Sequence, residues 1–149
     1  MKKDVAIPWK LLDSFRSLIL ANYFGKVDFV VGIMNGGGIP AIVAGLSLDV
    51  PIYWLYLKSY KGRKCGRVEM ETCLLPMDNP KGRILLVDDI FDSGKTLEFS
   101  LRFLDGLKFK NVQSVTMLSK DREKTKKMHV EYLLKAGKNQ WVVFPWENE

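Results

Sequence analysis

Residues 83–96 read RILLVDDIFDSGKT and carry the strongest pattern in the chain. The run 83–89, which is apolar at 84–87, predicts a buried strand that ends in two adjacent carboxylates, Asp88 and Asp89. A short turn, 92–96, brings a further acid and two hydroxyl groups to the start of an expected helix. The segment therefore predicts a strand, a turn and a helix, with the polar groups gathered at the carboxyl end of the strand.

These polar groups suit the two ends of one sugar phosphate. Free backbone N–H groups at a helix start, together with the helix dipole, favour a bound phosphate. Ser93 and Thr96 can add hydroxyl donors, and Gly94 lets the backbone approach a ligand closely. Asp88 and Asp89, the acidic pair, are acceptors that suit sugar hydroxyls or a hydrated Mg²⁺ ion. A phosphate at one end and a diol at the other describe a ribose 5-phosphate.

Three other interpretations of this segment explain less of it. Gly94-Lys95-Thr96 resembles the end of a P-loop, but that motif needs a glycine at the position of Asp89. A pocket of the response-regulator kind would place an aspartate pair at a strand end, but it does not explain the Ser-Gly-Lys-Thr turn. An ordinary strand–turn–helix with a capping aspartate would leave these carboxylates without compensation, which costs stability.

Apolar runs and amphipathic stretches alternate along the whole chain. They predict strands at 27–34, 51–58, 83–89, 112–119, 129–134 and 141–144, and helices at 8–23, at 39–48 and up to Gly106. Residues 59–82 are polar and rich in glycine and proline, which predicts a long loop, with a hairpin around 67–75 as an option. This order predicts an α/β fold with a parallel sheet covered on both faces, whose ligands bind at the carboxyl ends of the strands.

The composition is that of one ordinary globular domain. The 149 residues are 47% hydrophobic and 27% charged, which excludes disorder, collagen and coiled coil. No apolar run is long enough to span a bilayer, and the start Met1–Asp4 predicts no signal peptide. Cys65 and Cys73 are expected to be reduced thiols of a cytoplasmic protein, with a disulfide or a metal pair as the alternative. The net charge of +6 suits an anionic ligand or a nucleic acid and does not choose between them.

Residues 83–96 resemble the fingerprint of the type I phosphoribosyltransferases, which bind 5-phosphoribosyl 1-diphosphate. Asp92 followed by Ser-Gly-Lys-Thr resembles the purine-salvage branch, the hypoxanthine/xanthine/guanine phosphoribosyltransferases. The resemblance implies a single domain over 1–149, with a central, mostly parallel twisted sheet flanked by helices. The sheet and helices would form a core over about 8–134, with a flexible lid over about 59–76. A small hood would consist of about 135–149 and the N-terminal segment.

By this resemblance, the quoted segment holds the sugar phosphate. Asp88 and Asp89 would hold the ribose hydroxyls and bind Mg²⁺. Asp92 would also face N7 of a purine as the catalytic acid/base. The 5′-phosphate would lie in the phosphate loop, which consists of Asp92, Ser93, Gly94, Lys95 and Thr96.

A second glycine-rich segment follows the strand 27–34. Gly36-x-Gly38-x-x-Ala41 is a weak dinucleotide-binding pattern, and the acid that this pattern needs about 20 residues later is missing from 51–58. In the resembling family, such a loop receives the diphosphate through backbone N–H groups. The residues implied are Asn35, Gly36 and Gly37, joined by Ser59 and Tyr60 from the lid. Asn35 stands where the family often has arginine or lysine.

The resemblance also implies a site for the base. Ile90 would contact the base, and the ammonium of Lys120 would donate to the 6-oxygen of a purine. Trp141 would stack on the ring, and the carbonyl of Val142 would accept from it. Glu147 would lie near the exocyclic group and is also a candidate Mg²⁺ ligand. An ordinary surface lysine and ordinary core or interface tryptophans are the alternatives.

The activity implied is Mg²⁺-dependent transfer of ribose 5-phosphate from 5-phosphoribosyl 1-diphosphate to guanine or hypoxanthine, with xanthine as a further option. The products would be a purine nucleoside monophosphate and diphosphate. We expect a cytoplasmic homodimer or homotetramer with no membrane or nucleic-acid partner. The alternatives are a regulator that senses the same diphosphate while binding RNA or DNA, and a transferase for another base.

Overall fold

The computed structural model describes residues 4–60 and 67–147, except for the side chain of Tyr60. The strands are β1 (Asp4–Ala6), β2 (Phe29–Met34), β3 (Ile52–Tyr60), β4 (Arg67–Leu74), β5 (Ile84–Phe91), β6 (Val112–Ser119), β7 (Val130–Lys135) and β8 (Trp141–Val143). The helices are α1 (Leu11–Tyr23), α2 (Gly38–Leu48), α3 (Lys95–Gly106) and α4 (Arg122–Lys127).

The main sheet has six strands in the order β4-β3-β2-β5-β6-β7. All its neighbouring strands are parallel except β3 and β4, which confirms the predicted α/β fold with a mostly parallel sheet. Adjacent residues of β2 point to opposite faces, and each face has its own apolar core. Val30 packs in the core that contains α1 and α2, whereas Val31 packs with α3. Strands covered on both faces read as continuous apolar runs, as these do.

The order of the strands reverses between β2 and β5. From this point β3 continues on one side and β6 on the other, so the connections leave the carboxyl ends of β2 and β5 in opposite directions. A crevice opens where the connections diverge, and it is where open α/β sheets bind ligands. The segments that follow these two strands are the two that the sequence singled out.

The prediction of an unbroken loop over 59–82 is wrong, and the optional hairpin around 67–75 is confirmed in part. Ser59 and Tyr60 end β3 instead of beginning a loop, and Arg67–Leu74 forms an antiparallel edge strand against it. Charged residues alternate along β4, a pattern typical of an exposed edge, and Lys58 pairs with Glu71 at 2.7 Å. Because of this polarity, the sequence predicted a hairpin here only as an option. The rest of the predicted lid between the two strands, 61–66, lies outside the described residues.

Two elements were not predicted, β1 and α4. Strand β1 pairs in parallel with β8 in a separate two-stranded sheet, which joins Val5 to Val142. Helix α4 lies in a charged stretch and is stabilised at its start by Asp121, whose carboxylate accepts the Lys124 N–H at 3.0 Å. Within the described part of the chain, no helix is long and apolar enough to cross a membrane.

Candidate active site

A cavity of about 340 Å³ lies at the carboxyl ends of β2 and β5. It brings together most of the predicted site residues from four separate segments. Those that line it are Asn35, Gly36, Ser59, Asp88, Asp89, Ile90, Asp92, Ser93, Gly94, Thr96 and Glu147. Gly37 and Lys95 lie in the same loops without lining the cavity.

The acidic pair forms the buried floor of this cavity. Asp88 and Asp89 are each only 8% exposed. Asp88 Oδ1 accepts the Asp89 N–H at 2.9 Å, and Asp89 Oδ1 accepts the Ile90 N–H at 2.7 Å. Burial raises the pKa of Asp88 well above its usual value, and the neighbouring Asp89 charge adds to this. Burial likewise raises the pKa of Asp89. Two carboxylates held this close in a dry site favour a ligand that brings hydroxyl donors or a cation.

The glycine loop 35–38 packs directly against the acidic pair. A side chain added at Gly36 would overlap the Asp89 carboxylate, and one at Gly37 would meet the Val87 carbonyl at 2.7 Å. The turn is closed by the Gly37 N–H, which donates to the Ile33 carbonyl at 2.8 Å. Glycine is therefore required here because the loop backbone and the carboxylates share one small space.

The phosphate loop turns sharply at Gly94, which has φ +84° and precedes the first residue of α3. An added side chain there would be strained and would meet the Phe91 ring at 2.6 Å. Ser93 Oγ accepts a long hydrogen bond of 3.4 Å from the Lys95 N–H. Because α3 begins here, its first backbone N–H groups lie beside the cavity, as the anion-binding prediction requires.

Lys120 and Asp92 form an ion pair at the side of the cavity. The Lys120 ammonium donates to Asp92 Oδ2 at 3.1 Å. The Lys120 side chain is 9% exposed, whereas that of Asp92 is 66% exposed. The Lys120 backbone N–H also donates to the Phe91 carbonyl at 2.8 Å, which fixes the end of β6 beside β5. The two groups predicted to contact different atoms of a purine are thus adjacent before any base is bound.

The last described segment carries the remaining predicted base-site residues. Trp141 is 52% exposed and Val142 is buried, and neither lines the cavity. Glu147 does line it, and its Oε2 accepts the Phe144 N–H at 2.9 Å. Its negative charge contributes to the raised pKa of Asp89, behind the effect of burial. Glu147 is therefore close enough to the acidic pair to act on the same ligand.

Comparison with known proteins agrees with this architecture. The phosphoribosyl transferase domain family matches residues 11–149. The chain belongs to this family. The predicted membership is thus confirmed, and with it the prediction of a transferase.

The names of several relatives of this phosphoribosyltransferase specify purine bases. A xanthine-guanine phosphoribosyltransferase of Cereibacter sphaeroides is 29% identical over 127 residues, which cover 79% of this chain and 68% of the relative. A hypoxanthine-guanine phosphoribosyltransferase of Lactococcus lactis is 28% identical over 132 residues, or 85% of this chain and 70% of the relative. The crystal structure of a purine phosphoribosyltransferase from Pyrococcus horikoshii superimposes with a TM-score of 0.80 and 26% identity, and covers 98% of this chain and 95% of that one.

The acidic pair of this phosphoribosyltransferase can supply some, but not all, of the oxygen ligands that Mg²⁺ needs. Asp88 and Asp89 each use Oδ1 to accept a backbone N–H, which leaves Oδ2 of each free of such a bond. Within 4–60 and 67–147, no three acidic, histidine or cysteine side chains converge closely enough to hold a metal. Mg²⁺ commonly keeps several waters and takes one or two carboxylates plus substrate phosphates, and the acidic pair fits that mode. Direct coordination by Glu147 as a third ligand stays a prediction.

Sequence reasoning missed two residues that shape the site of this phosphoribosyltransferase. Thr116 lines the cavity, pairs with Asp88 across β5 and β6, and donates its hydroxyl to the Leu118 carbonyl at 2.9 Å. Lys124 reaches the phosphate loop from α4. A polar residue inside an apolar strand was a usable signal for Thr116. Nothing in the charged stretch around Lys124 distinguished it from its neighbours.

Proposed function

We propose that this phosphoribosyltransferase transfers ribose 5-phosphate from 5-phosphoribosyl 1-diphosphate to a 6-oxopurine, guanine or hypoxanthine foremost, and releases diphosphate. The observation that carries the proposal is the convergence of the acidic pair, the glycine loop and the phosphate loop on one cavity. One side of this cavity suits a phosphate and its buried floor suits a diol. Names of relatives in the purine branch support the choice of base.

The chain's own residues would act mainly by binding and orienting the sugar. The phosphate loop would hold the 5′-phosphate through backbone N–H groups, and the acidic pair would accept hydrogen bonds from the ribose hydroxyls. Fixing both ends of the pentose exposes its anomeric carbon to a purine nitrogen on one side and to the leaving diphosphate on the other. Holding two reactants in this way removes much of the entropic barrier.

The Lys120–Asp92 ion pair supports a 6-oxopurine as the acceptor. An ammonium has donors only, so Lys120 can donate to a 6-oxo group but has nothing to accept from a 6-amino group. Asp92 beside it would take the proton from the purine as the new bond forms. The carboxylate of Glu147 favours a 2-amino donor, as in guanine.

Magnesium is part of the proposal. When bound, it would supply positive charge that stabilises the departing diphosphate. Asp88 and Asp89 are the residues that would hold it, with Glu147 as a further candidate ligand.

The test is a spectrophotometric assay of the full chain with each purine and pyrimidine base, 5-phosphoribosyl 1-diphosphate, and Mg²⁺ present or chelated. We expect product with guanine and hypoxanthine, none with adenine, and none after chelation. Product with adenine or a pyrimidine alone would reject the proposed acceptor. Retention on RNA or DNA without turnover of any base would favour the regulator instead.

A further inference from the structure

Helix α4 supplies one contact that the proposed function leaves unused. The Lys124 ammonium donates to the Ser93 carbonyl of the phosphate loop at 2.6 Å. It also lies 3.5 Å from Glu98 Oε1 on α3, a longer and weaker contact. The carbonyl contact is short, as expected when the donor carries a full charge.

The position of Lys124 is set by the end of β6. Ser119 Oγ accepts the Asp121 N–H at 3.1 Å, and Asp121 in turn caps α4 through the Lys124 N–H at 3.0 Å. The Thr125 hydroxyl donates to the Asp121 carbonyl at 2.9 Å. A chain of hydrogen bonds therefore ties the backbone at Lys124 to the strand beside the cavity, so the lysine approaches the phosphate loop from a fixed base.

A fixed carbonyl at Ser93 has a consequence for the next residue. In a trans peptide the C=O and N–H groups point in opposite directions, so the Lys124 contact sets the direction of the Gly94 N–H. Gly94 has φ +84° and, as a glycine, has many alternative conformations open to it. The Lys124 ammonium thus restrains the phosphate loop beside Gly94, the residue with the most conformations open to it, and adds a positive charge there.

We propose that Lys124 is a positioning residue that holds the Ser93–Gly94 peptide in the phosphate-binding orientation and thereby sets affinity for the 5′-phosphate of the substrate. This inference rests on the proposed function for the identity of the ligand. Lys124 contacts the Ser93 carbonyl, whereas Lys120 contacts the Asp92 carboxylate, so the two lysines act on different groups and the effect of Lys124 is expected at the phosphate end.

The alternative is an ordinary surface ion pair between Lys124 and Glu98. Such pairs contribute little to stability and have no effect on ligand affinity. The two interpretations predict different results when the ammonium is removed. If Lys124 positions the Ser93–Gly94 peptide, phosphate binding alone is weakened. If Lys124 forms only a surface ion pair, the binding of every ligand is unaffected.

The experiment compares the wild-type chain with Lys124→Met, Lys124→Arg and, as a matched control on the same helix, Lys127→Met. Calorimetry measures the Kd of ribose 5-phosphate and of guanosine, which lacks the phosphate. Kinetics measure kcat and both KM values, and thermal unfolding reports Tm. We expect Lys124→Met to weaken ribose 5-phosphate binding about tenfold, as when the phosphate-binding orientation of the Ser93–Gly94 peptide falls to about a tenth of the population, and to raise the KM for 5-phosphoribosyl 1-diphosphate similarly.

Guanosine affinity and the KM for guanine should stay at wild-type values in Lys124→Met, and Tm should fall only slightly, because one internal hydrogen bond is lost. Lys124→Arg should recover most of the phosphate affinity, and Lys127→Met should match the wild type throughout. Unchanged ribose 5-phosphate binding in Lys124→Met would overturn the inference, as would an equal loss of guanosine affinity.

The outcomes also separate this inference from the proposed function. A wild type that binds ribose 5-phosphate but turns over no purine would reject the proposed function, while the Lys124 comparison still decides the inference. A wild type that turns over guanine, with Lys124→Met unaltered, would reject the inference alone. A wild type that does neither would reject both.

Discussion

The two proposed halves of the site differ in how they are built. The proposed sugar-phosphate half rests on β5, a central strand, with Asp88 and Asp89 buried and hydrogen-bonded to adjacent backbone. The proposed purine half draws Trp141, Val142 and Glu147 from β8 and the residues after it, and β8 belongs to a two-stranded sheet that is separate from the main one. Trp141 is half exposed.

This difference indicates that the two halves respond differently to mutation. Side chains on central strands are held rigidly before any ligand binds, because the packing on both faces of the sheet fixes the strands. Side chains on a peripheral pair of short strands have fewer packing neighbours. We therefore expect changes in the first half to be severe and changes in the second to be graded and selective for the base.

The largest effect is expected from Gly36→Ala. The new methyl group would overlap the Asp89 carboxylate and push the glycine loop or the acidic pair out of place. Displacements of this kind can cost about 100-fold in kcat/KM, which steady-state assays will measure. Gly106→Ala is the matched control, since nothing lies within 4 Å of its added methyl group, and it should retain full activity. An active Gly36→Ala would show that the sugar-phosphate half is more tolerant than its packing indicates.

Asp92→Asn should come next. The change keeps the shape of the side chain and removes its ability to take a proton, so kcat should fall about 30-fold while both KM values change little. Steady-state kinetics with guanine would check this. Small and equal losses in kcat and binding would show that Asp92 serves only as the ion-pair partner of Lys120.

Trp141→Ala should have a smaller effect that is specific to the base. Loss of a stacking partner should raise the KM for guanine about tenfold and leave the KM for 5-phosphoribosyl 1-diphosphate unchanged. Trp141→Phe keeps an aromatic face and should recover most of the loss. A rise in the KM for the diphosphate substrate would contradict the division between the halves.

The smallest effect is expected at the amino ends of β2 and β5, opposite the cavity, where Asp28 pairs with Arg83. Hydrogen bonds from the Arg83 side chain and backbone lower the pKa of Asp28 from 3.8 to about 2. A lowered folded-state pKa stabilises the fold above the unfolded pKa, and this stabilisation is lost as pH falls towards 2. Asp28→Asn should therefore be less stable than the wild type at neutral pH, by a small amount because the pair is exposed.

Urea unfolding at several pH values would test this. The difference between wild type and Asp28→Asn should be constant from about pH 5 to 8 and shrink below about pH 4. Purine turnover at neutral pH should be unaffected, since this end of the sheet carries no site residue. A difference that grows on acidification would contradict the assigned sign.

Local patterns in the sequence were sufficient for the parallel strands of the main sheet and for the turn that precedes α3. The apolar run before Asp88 and the turn at Gly94 each depend on neighbours close in sequence, so their structure could be inferred directly. Strand β4 was predicted only as part of an optional hairpin around 67–75, because its alternating charges, suited to an exposed edge, look like those of a loop. Strand β1 was missed because three residues carry no period, and only pairing with β8 makes them a strand.

Sequence patterns predicted less about the parts of the site that depend on long-range contacts. Sequence patterns placed Lys120 and Asp92 at two strand ends, but only the fold shows that they form an ion pair. Lys124 is one of several lysines in a charged run, and only the position of α4 distinguishes it. The purine half remains a prediction from resemblance, since Trp141 and Val142 lie outside the cavity.

The pairing of β1 with β8 joins segments from near the two ends of the described chain. A ribosome makes Asp4–Ala6 before the main sheet and Trp141–Val143 only after it. The sheet that carries the sugar-phosphate half can assemble during that interval, whereas the purine half has to wait. A growing polypeptide should therefore acquire affinity for a pentose phosphate before it acquires affinity for a nucleobase.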